Sequence, residues 1–194
     1  MLVTGTSGGI GGAVKAAALA RGHVVAELNR ADFDALSSDP RAPLDALGSE
    51  PFGALAFCTG TCPVRPAALT SDAVFAETLR VNCGLFLSLM RRIVADRLYD
   101  PAGFRAVAVS SVSAVEGWPG GAAYCASKGA LSALCRALNA ELAPKKISVC
   151  ALEPRHVRTR MFEECAGRMG TDPALARDPA DFAVEVLTEM EARK

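Results

Sequence analysis

Tyr124 and Lys128 stand four residues apart in the stretch "AYCASKGAL", a spacing that places both side chains on one face of a helix. A phenol with the usual pKa of about 10 is a poor acid or base near neutral pH. A neighbouring ammonium favours the phenolate and lowers that pKa. Such a tyrosine can hand a proton to a carbonyl oxygen or take one from an alcohol. In isolation the pair is also what chance gives on a surface helix. A second stretch, "MLVTGTSGGIGGAV", opens the chain with Gly5, Gly9 and Gly11 between an apolar run and an alanine-rich one. Bare backbone there allows close approach to a pyrophosphate, and a helix N-terminus attracts its charge. The spacing is Gly-x-x-x-Gly-x-Gly rather than Gly-x-Gly-x-x-Gly, so the turn alone is also compatible with a tight strand-to-helix connection that binds nothing.

Composition narrows the setting. The chain has 194 residues, 51% hydrophobic and 22% charged, with a formal net charge of zero. That balance fits one soluble globular domain over 1–194 and gives no electrostatic case for nucleic acid or a membrane surface. No apolar run reaches the length expected of a membrane span. Seven scattered cysteines, with the glycine turn starting at residue 5 and leaving no room for a signal peptide, point to free thiols in a reducing cytoplasm. Cys58 and Cys62 are answered by no second Cys/His pair, and with two histidines, His23 and His156, no metal site is expected.

The elements that must hold these residues alternate. Apolar runs at 1–4, 23–28, 53–58, 104–111 and 147–154 read as strands, and stretches at 11–22, 71–98, 124–143 and 178–193 as helices. Gly22 suits the end of the first helix, and Ser71 or Asp72 the start of the second. Such alternation predicts an α/β fold: a Rossmann-like, doubly wound parallel sheet with helices on both faces. Ligands bind such a sheet beyond the strand ends, where the glycine turn lies.

Taken together, Thr4-Gly5-x-x-x-Gly9-Ile10-Gly11, Asn82, Ser111 and Tyr124-x-x-x-Lys128 resemble the short-chain dehydrogenase/reductase family in order and spacing. "EPRHVRT" is similar to that family's segment after the sixth strand, and the resemblance covers roughly residues 1–160. It implies an NAD(P)-dependent oxidoreductase that moves a hydride between nicotinamide and a small carbonyl or alcohol. By that resemblance Ser111 bonds the substrate oxygen, with Ser110 and Ser113 as rivals. Tyr124 is the acid/base, Lys128 binds the nicotinamide ribose and lowers the tyrosine pKa, and Asn82 holds a relay water. Gly5, Ser7, Gly9, Ile10, Gly11, Asn29, Arg30, Asp32, Phe33, Gly60, Val157 and Thr159 complete the implied cofactor site, with Asp34 as an alternative to the Asp32–Phe33 pair.

The departures matter as well. Phe57-Cys58-Thr59-Gly60 stands where the family has Asn-Asn-Ala-Gly, so only the glycine is kept, and Arg155 stands where the family has a glycine. The third strand has only 30–38 to form in, and the family's seventh strand is missing, so six strands are expected with a substrate site more open or more simply covered than usual, lined by Trp118 and Phe162. A dinucleotide-binding regulator or scaffold with little turnover is the alternative reading. NADP(H) is favoured because Asn29 replaces the family's ribose-binding carboxylate and Arg30 follows; if Glu27 reads the ribose instead, NAD(H) is preferred. The family further implies a homodimer through its fourth and fifth helices, here 71–98 and 124–143, with Phe86, Met90, Leu131 and Leu134 as surplus apolar surface.

Overall fold

Short apolar runs form the strands, and amphipathic segments form the helices between them. A computed structural model describes residues 1–29, 32 and 50–192. In chain order these form β1 (Leu2–Thr4), α1 (Gly9–Ala20), β2 (Ala26–Leu28), β3 (Ala54–Phe57), α2 (Asp72–Leu79), α3 (Leu85–Ala95), β4 (Phe104–Val109), α4 (Ala122–Leu142), β5 (Ile147–Leu152), α5 (Arg160–Met169) and α6 (Pro179–Glu191). The sheet is parallel throughout, in the order β2-β1-β3-β4-β5. The chain leaves β1 for β2 on one side and returns to β3 on the other. The crevice beyond β1 and β3 is thus the switch point at which such sheets bind ligands.

Alternating side chains divide the apolar residues between two cores. Leu2, Leu55, Phe57, Phe104 and Ile147 pack with Phe86, Leu89 and Ile93 of α3 and Leu131 of α4. Val3, Ala54, Ala56, Val107 and Val109 pack on the other face with Val14 of α1 and Phe182, Val186 and Leu187 of α6. At about 25 cal/mol per Å² of apolar surface, this two-sided burial is the main stabilising contribution. Helix ends match the capping chemistry. Ser71 caps α2 through the Val74 N–H, and Gly22 takes φ +80° just beyond α1.

Three expectations change. The described residues supply five strands rather than six, and none follows β5. The stretch 30–38, expected to hold the other strand, lies outside the described residues apart from Asp32. Next, the helix expected over 71–98 contains a π-turn at Arg80–Gly84 between α2 and α3. Its 24 residues, Asp72–Ala95, are long and apolar enough to cross a bilayer, contrary to the sequence expectation, but α3 buries Leu85, Phe86, Leu89, Met90 and Ile93 inside this fold. Finally, Phe86, Met90 and Leu131 are buried within the protomer and Leu134 is packed against the same core, so they are not surplus surface for a partner. On α2 and α3 the exposed large apolar side chains are Phe75 and Leu87.

Candidate active site

The glycine turn is shaped by close backbone contacts. Gly5 takes φ +69°, and a Cβ there would lie 3.1 Å from the Cys58 carbonyl group. A Cβ on Gly11 would sit 2.2 Å from the Gly5 carbonyl oxygen, so α1 starts directly on the turn. At Gly9 the absent Cβ leaves room for the Thr159 side chain, whose methyl carbon would otherwise be 2.7 Å away. Gly8 caps α1 without a side-chain bond. The first N–H groups of the helix are therefore left to other partners. The buried Thr4 hydroxyl accepts from the Cys58 N–H (3.0 Å) and the Thr59 N–H (3.3 Å), and lies 2.9 Å from the Thr59 hydroxyl. These bonds tie β1 to the loop after β3, the segment in which the family's asparagines are replaced.

At the end of β2, Asn29 turns its side chain into the glycine turn. Its Oδ1 accepts from the Ser7 N–H at 3.0 Å, and its Nδ2 donates to Thr6 at 3.0 Å. Glu27 pairs with Lys15 at 2.5 Å and accepts from the Thr6 hydroxyl at 2.5 Å. Those bonds hold its carboxyl below the usual range, the Lys15 contact most of all. The Asp32 carboxylate accepts from the Asn29 N–H at 2.6 Å, so it braces the end of β2. Arg30 and Phe33 lie outside the described residues.

A cavity of about 660 Å³ opens beyond β1 and β3. Gly5, Ser7, Gly9, Ile10, Gly11 and Gly60 line one side of it, and Ser111, Tyr124, Lys128, Val157 and Thr159 also face it, as do Trp118 and Phe162. Ser111 lies two residues beyond the end of β4 and accepts from the Ser113 N–H at 3.1 Å. Its two rivals are engaged elsewhere. The Ser110 hydroxyl bonds the Lys128 carbonyl and Ser132, and the Ser113 hydroxyl accepts from the Trp118 indole at 3.2 Å.

Lys128 is buried, lies 5.7 Å from the Tyr124 ring centroid and donates to the Val109 carbonyl at 2.8 Å. Burial lowers its pKa to about 8. The Tyr124 phenol, expected to be lowered by this ammonium, is instead pushed well above its ordinary value. Burial is the main cause, the neighbouring Cys62 adds to it, and the Ser111 hydroxyl works against it.

Asn82 does not face the cavity. It is fully buried in the π-turn, where Oδ1 accepts from the Thr61 N–H at 2.8 Å. Its Nδ2 donates to the Thr61 carbonyl (2.9 Å) and to the Ser127 hydroxyl (2.8 Å). It therefore joins the loop after β3, the π-turn and α4, one residue from Lys128. A Cβ on Gly60 would lie 3.3 Å from the Asn82 Oδ1 and 3.6 Å from the Lys128 Nζ, so that loop passes directly over both.

Sequence reasoning named Thr159 and Phe162 but missed α5, the helix before the last one, which forms the opposite wall. Thr159 caps α5 through the Phe162 N–H, and Gly170 takes φ +65° at its end. Phe162, Cys165 and Ala166 are its buried residues. Thr159 before an i, i+3, i+4 apolar set, with Gly170 beyond, was the available signal. From α5, Phe162 stacks on His156 with ring centroids 5.1 Å apart, and Cys165 meets Cys62. Arg155 pairs with Glu116 at 3.0 Å across the exposed rim.

A doubly wound parallel sheet with a glycine-shaped helix start at its switch point defines a dinucleotide-binding class of fold. The short chain dehydrogenase family model matches residues 47–169, and the chain belongs to that family. It is 28% identical to a 3beta-hydroxysteroid dehydrogenase of Mediterraneibacter gnavus, over 94% of this chain and 76% of that protein. It is 31% identical to carbonyl reductase (NADPH) 2 of Sus scrofa, over 91% of this chain and 77% of that protein. In three dimensions it is similar to a 4-hydroxyisoleucine dehydrogenase mutant complexed with NADH and succinate, with TM-score 0.80, 21% identity, and 96% of this chain and 88% of that one covered.

Proposed function

We propose that the protein is an NADP(H)-dependent reductase or dehydrogenase acting on a small carbonyl/alcohol pair. The observation that carries this reading is convergence: Ser111, Tyr124 and Lys128 face the same cavity as the glycine turn. The turn fits a dinucleotide, because the close packing that Gly9 and Gly11 allow sets the N-terminus of α1, which no side chain caps, at the cavity wall. Gly5, Ser7, Gly9, Ile10 and Gly11 would hold the pyrophosphate, with Asn29 and Arg30 at the adenine ribose. Val157 and Thr159 would flank the nicotinamide, and Lys128 would hold its ribose. When bound, the nicotinamide supplies or accepts the hydride.

The remaining work falls to side chains of this chain. Ser111 orients the substrate oxygen. Tyr124 gives that oxygen a proton in reduction and takes it back in oxidation. Because burial raises its pKa, Tyr124 is held protonated at neutral pH, the state that reduction needs. Asn82 acts as a positioning residue through Thr61 and Ser127.

NADP(H) is favoured over NAD(H) because, among the described residues, both carboxylates at the end of β2 are engaged within the protein, Asp32 by the Asn29 N–H and Glu27 by Lys15. Position 29 is an amide. The relative named for NADPH agrees with this, whereas the structural neighbour carries NADH. Titrating both cofactors against wild type and Arg30→Ala tests the preference. The variant is expected to lose NADP(H) affinity selectively. Equal loss for both, or tighter wild-type binding of NAD(H), would assign the ribose to Glu27. A cytoplasmic setting agrees with seven free thiols. A homodimer through α2, α3 and α4 would use Phe75 and Leu87 rather than the buried side chains.

A further inference from the structure

Two thiols meet at the cavity wall. Cys62 lies in the loop after β3, and Cys165 lies two turns into α5. Their sulfurs are 3.7 Å apart, and the Cys165 sulfur is also 3.9 Å from the Cys62 carbonyl oxygen. The same two segments are joined once more by Arg168, whose guanidinium donates to the Val64 carbonyl at 2.9 Å. The thiols are therefore held in register by a neighbouring bond, not by chance proximity of two mobile ends. Both line the cavity; Cys62 is half-buried and Cys165 is buried. Of the cysteines nearby, Cys125 turns its sulfur to the Glu116 carbonyl.

We infer that Cys62 and Cys165 form an oxidation site that closes to a disulfide under a hydroperoxide and so fastens α5 to the loop after β3. The Cys62 thiolate attacks one peroxide oxygen, the O–O bond breaks, and the other oxygen leaves as alcohol or water after taking a proton. Cys165 then attacks the Cys62 sulfenic sulfur, the S–O bond breaks, and water leaves. The two sulfurs together give up two electrons, and the hydroperoxide accepts them. Fastening α5 also restrains its cap Thr159, which touches Gly9 of the glycine turn, and Phe162, which stacks on His156. Burial pushes the Cys62 thiol up. Closure is therefore slow at neutral pH and accelerates roughly tenfold per pH unit between about pH 7 and 9.

The test treats the full chain with hydrogen peroxide and reads mass, which needs neither dinucleotide nor substrate. The result therefore stands apart from the proposed activity. Wild type is expected to lose the mass of two hydrogens, and non-reducing proteolysis should yield one crosslinked peptide containing Cys62 and Cys165. A dithiol reductant should reverse both. Cys165→Ser should instead accumulate a Cys62 sulfenic acid that dimedone traps. Amide hydrogen exchange over α5 should slow in oxidised wild type. A crosslink between other cysteines, links only between copies of the chain, or folded wild type that keeps both hydrogens would overturn the inference. So would loss of two hydrogens by Cys165→Ser.

Discussion

On one side of the cavity, Gly5, Gly9 and Gly11 act through what they lack. Their missing Cβ atoms let the turn, the start of α1, the Cys58 carbonyl and Thr159 crowd together. On the opposite side the wall is made of paired side chains: Cys62 against Cys165, His156 against Phe162, and Glu116 against Arg155. The first wall is a backbone device that tolerates almost no substitution. The second is a set of side-chain pairings, two of which join residues far apart in the chain, Cys62 with Cys165 and Glu116 with Arg155. Tyr124, Ser111 and Lys128 sit between the two walls and take their geometry from both.

The largest expected effect tests the groups between the walls. Tyr124→Phe removes the proton donor and keeps the ring beside Trp118. Its kcat should fall by about 10²–10⁴-fold while dinucleotide affinity stays within a few-fold. Steady-state kinetics beside a binding titration would show it, and near-wild-type turnover would remove Tyr124 from the mechanism.

Lys128 gives the next effect, through linkage. Its pKa in the fold is about 8, below the ordinary 10.5. Below about pH 8 both folded and unfolded chains carry the proton, and the fold bears the cost of a buried ammonium. Between those two values the unfolded chain binds more protons, so this group makes stability rise with pH. Urea unfolding of wild type against Lys128→Met should show their difference shift by on the order of 2–4 kcal/mol between about pH 7.5 and 10.5, in favour of wild type at the higher pH. A pH-independent difference would mean that the ammonium is not desolvated.

Gly11→Ala sharpens the comparison of the walls. Its Cβ would meet the Gly5 carbonyl oxygen at 2.2 Å, a backbone atom that no rotamer change can move. About 1–3 kcal/mol of stability should be lost in thermal unfolding, together with dinucleotide affinity. The smallest effect belongs to the opposite wall. Arg155→Ala breaks an exposed ion pair with Glu116 and should cost under about 1 kcal/mol. A larger loss on that rim than at Gly11 would reverse the contrast.

The same contrast explains what the sequence shows. Strands such as β3 and β4 are apolar runs, and the glycine turn and the Tyr124–Lys128 pair are local patterns, so the parallel sheet and one wall are legible from residues near each other. Asn82 is legible as a position but not in its action. A π-turn arises where its amide reaches Thr61 and Ser127, and neither partner is marked in the sequence. The direction of the Tyr124 pKa is likewise a tertiary property. A Lys at i+4 predicts lowering, yet burial dominates and the ammonium bonds Val109 instead. The apolar stripe of α5 is a local pattern, but the Cys62–Cys165 contact becomes visible only once α5 is laid across the loop after β3.

The most direct measurement of the central claim is isotope transfer. NADPH carrying deuterium at both C4 positions of the nicotinamide, offered with a panel of aldehydes and ketones, should yield alcohol bearing one deuterium with the wild-type chain and essentially none with Tyr124→Phe, although both hold the dinucleotide. Tight dinucleotide binding by wild type with no deuterated alcohol from any carbonyl would contradict the account and leave a binding protein without turnover.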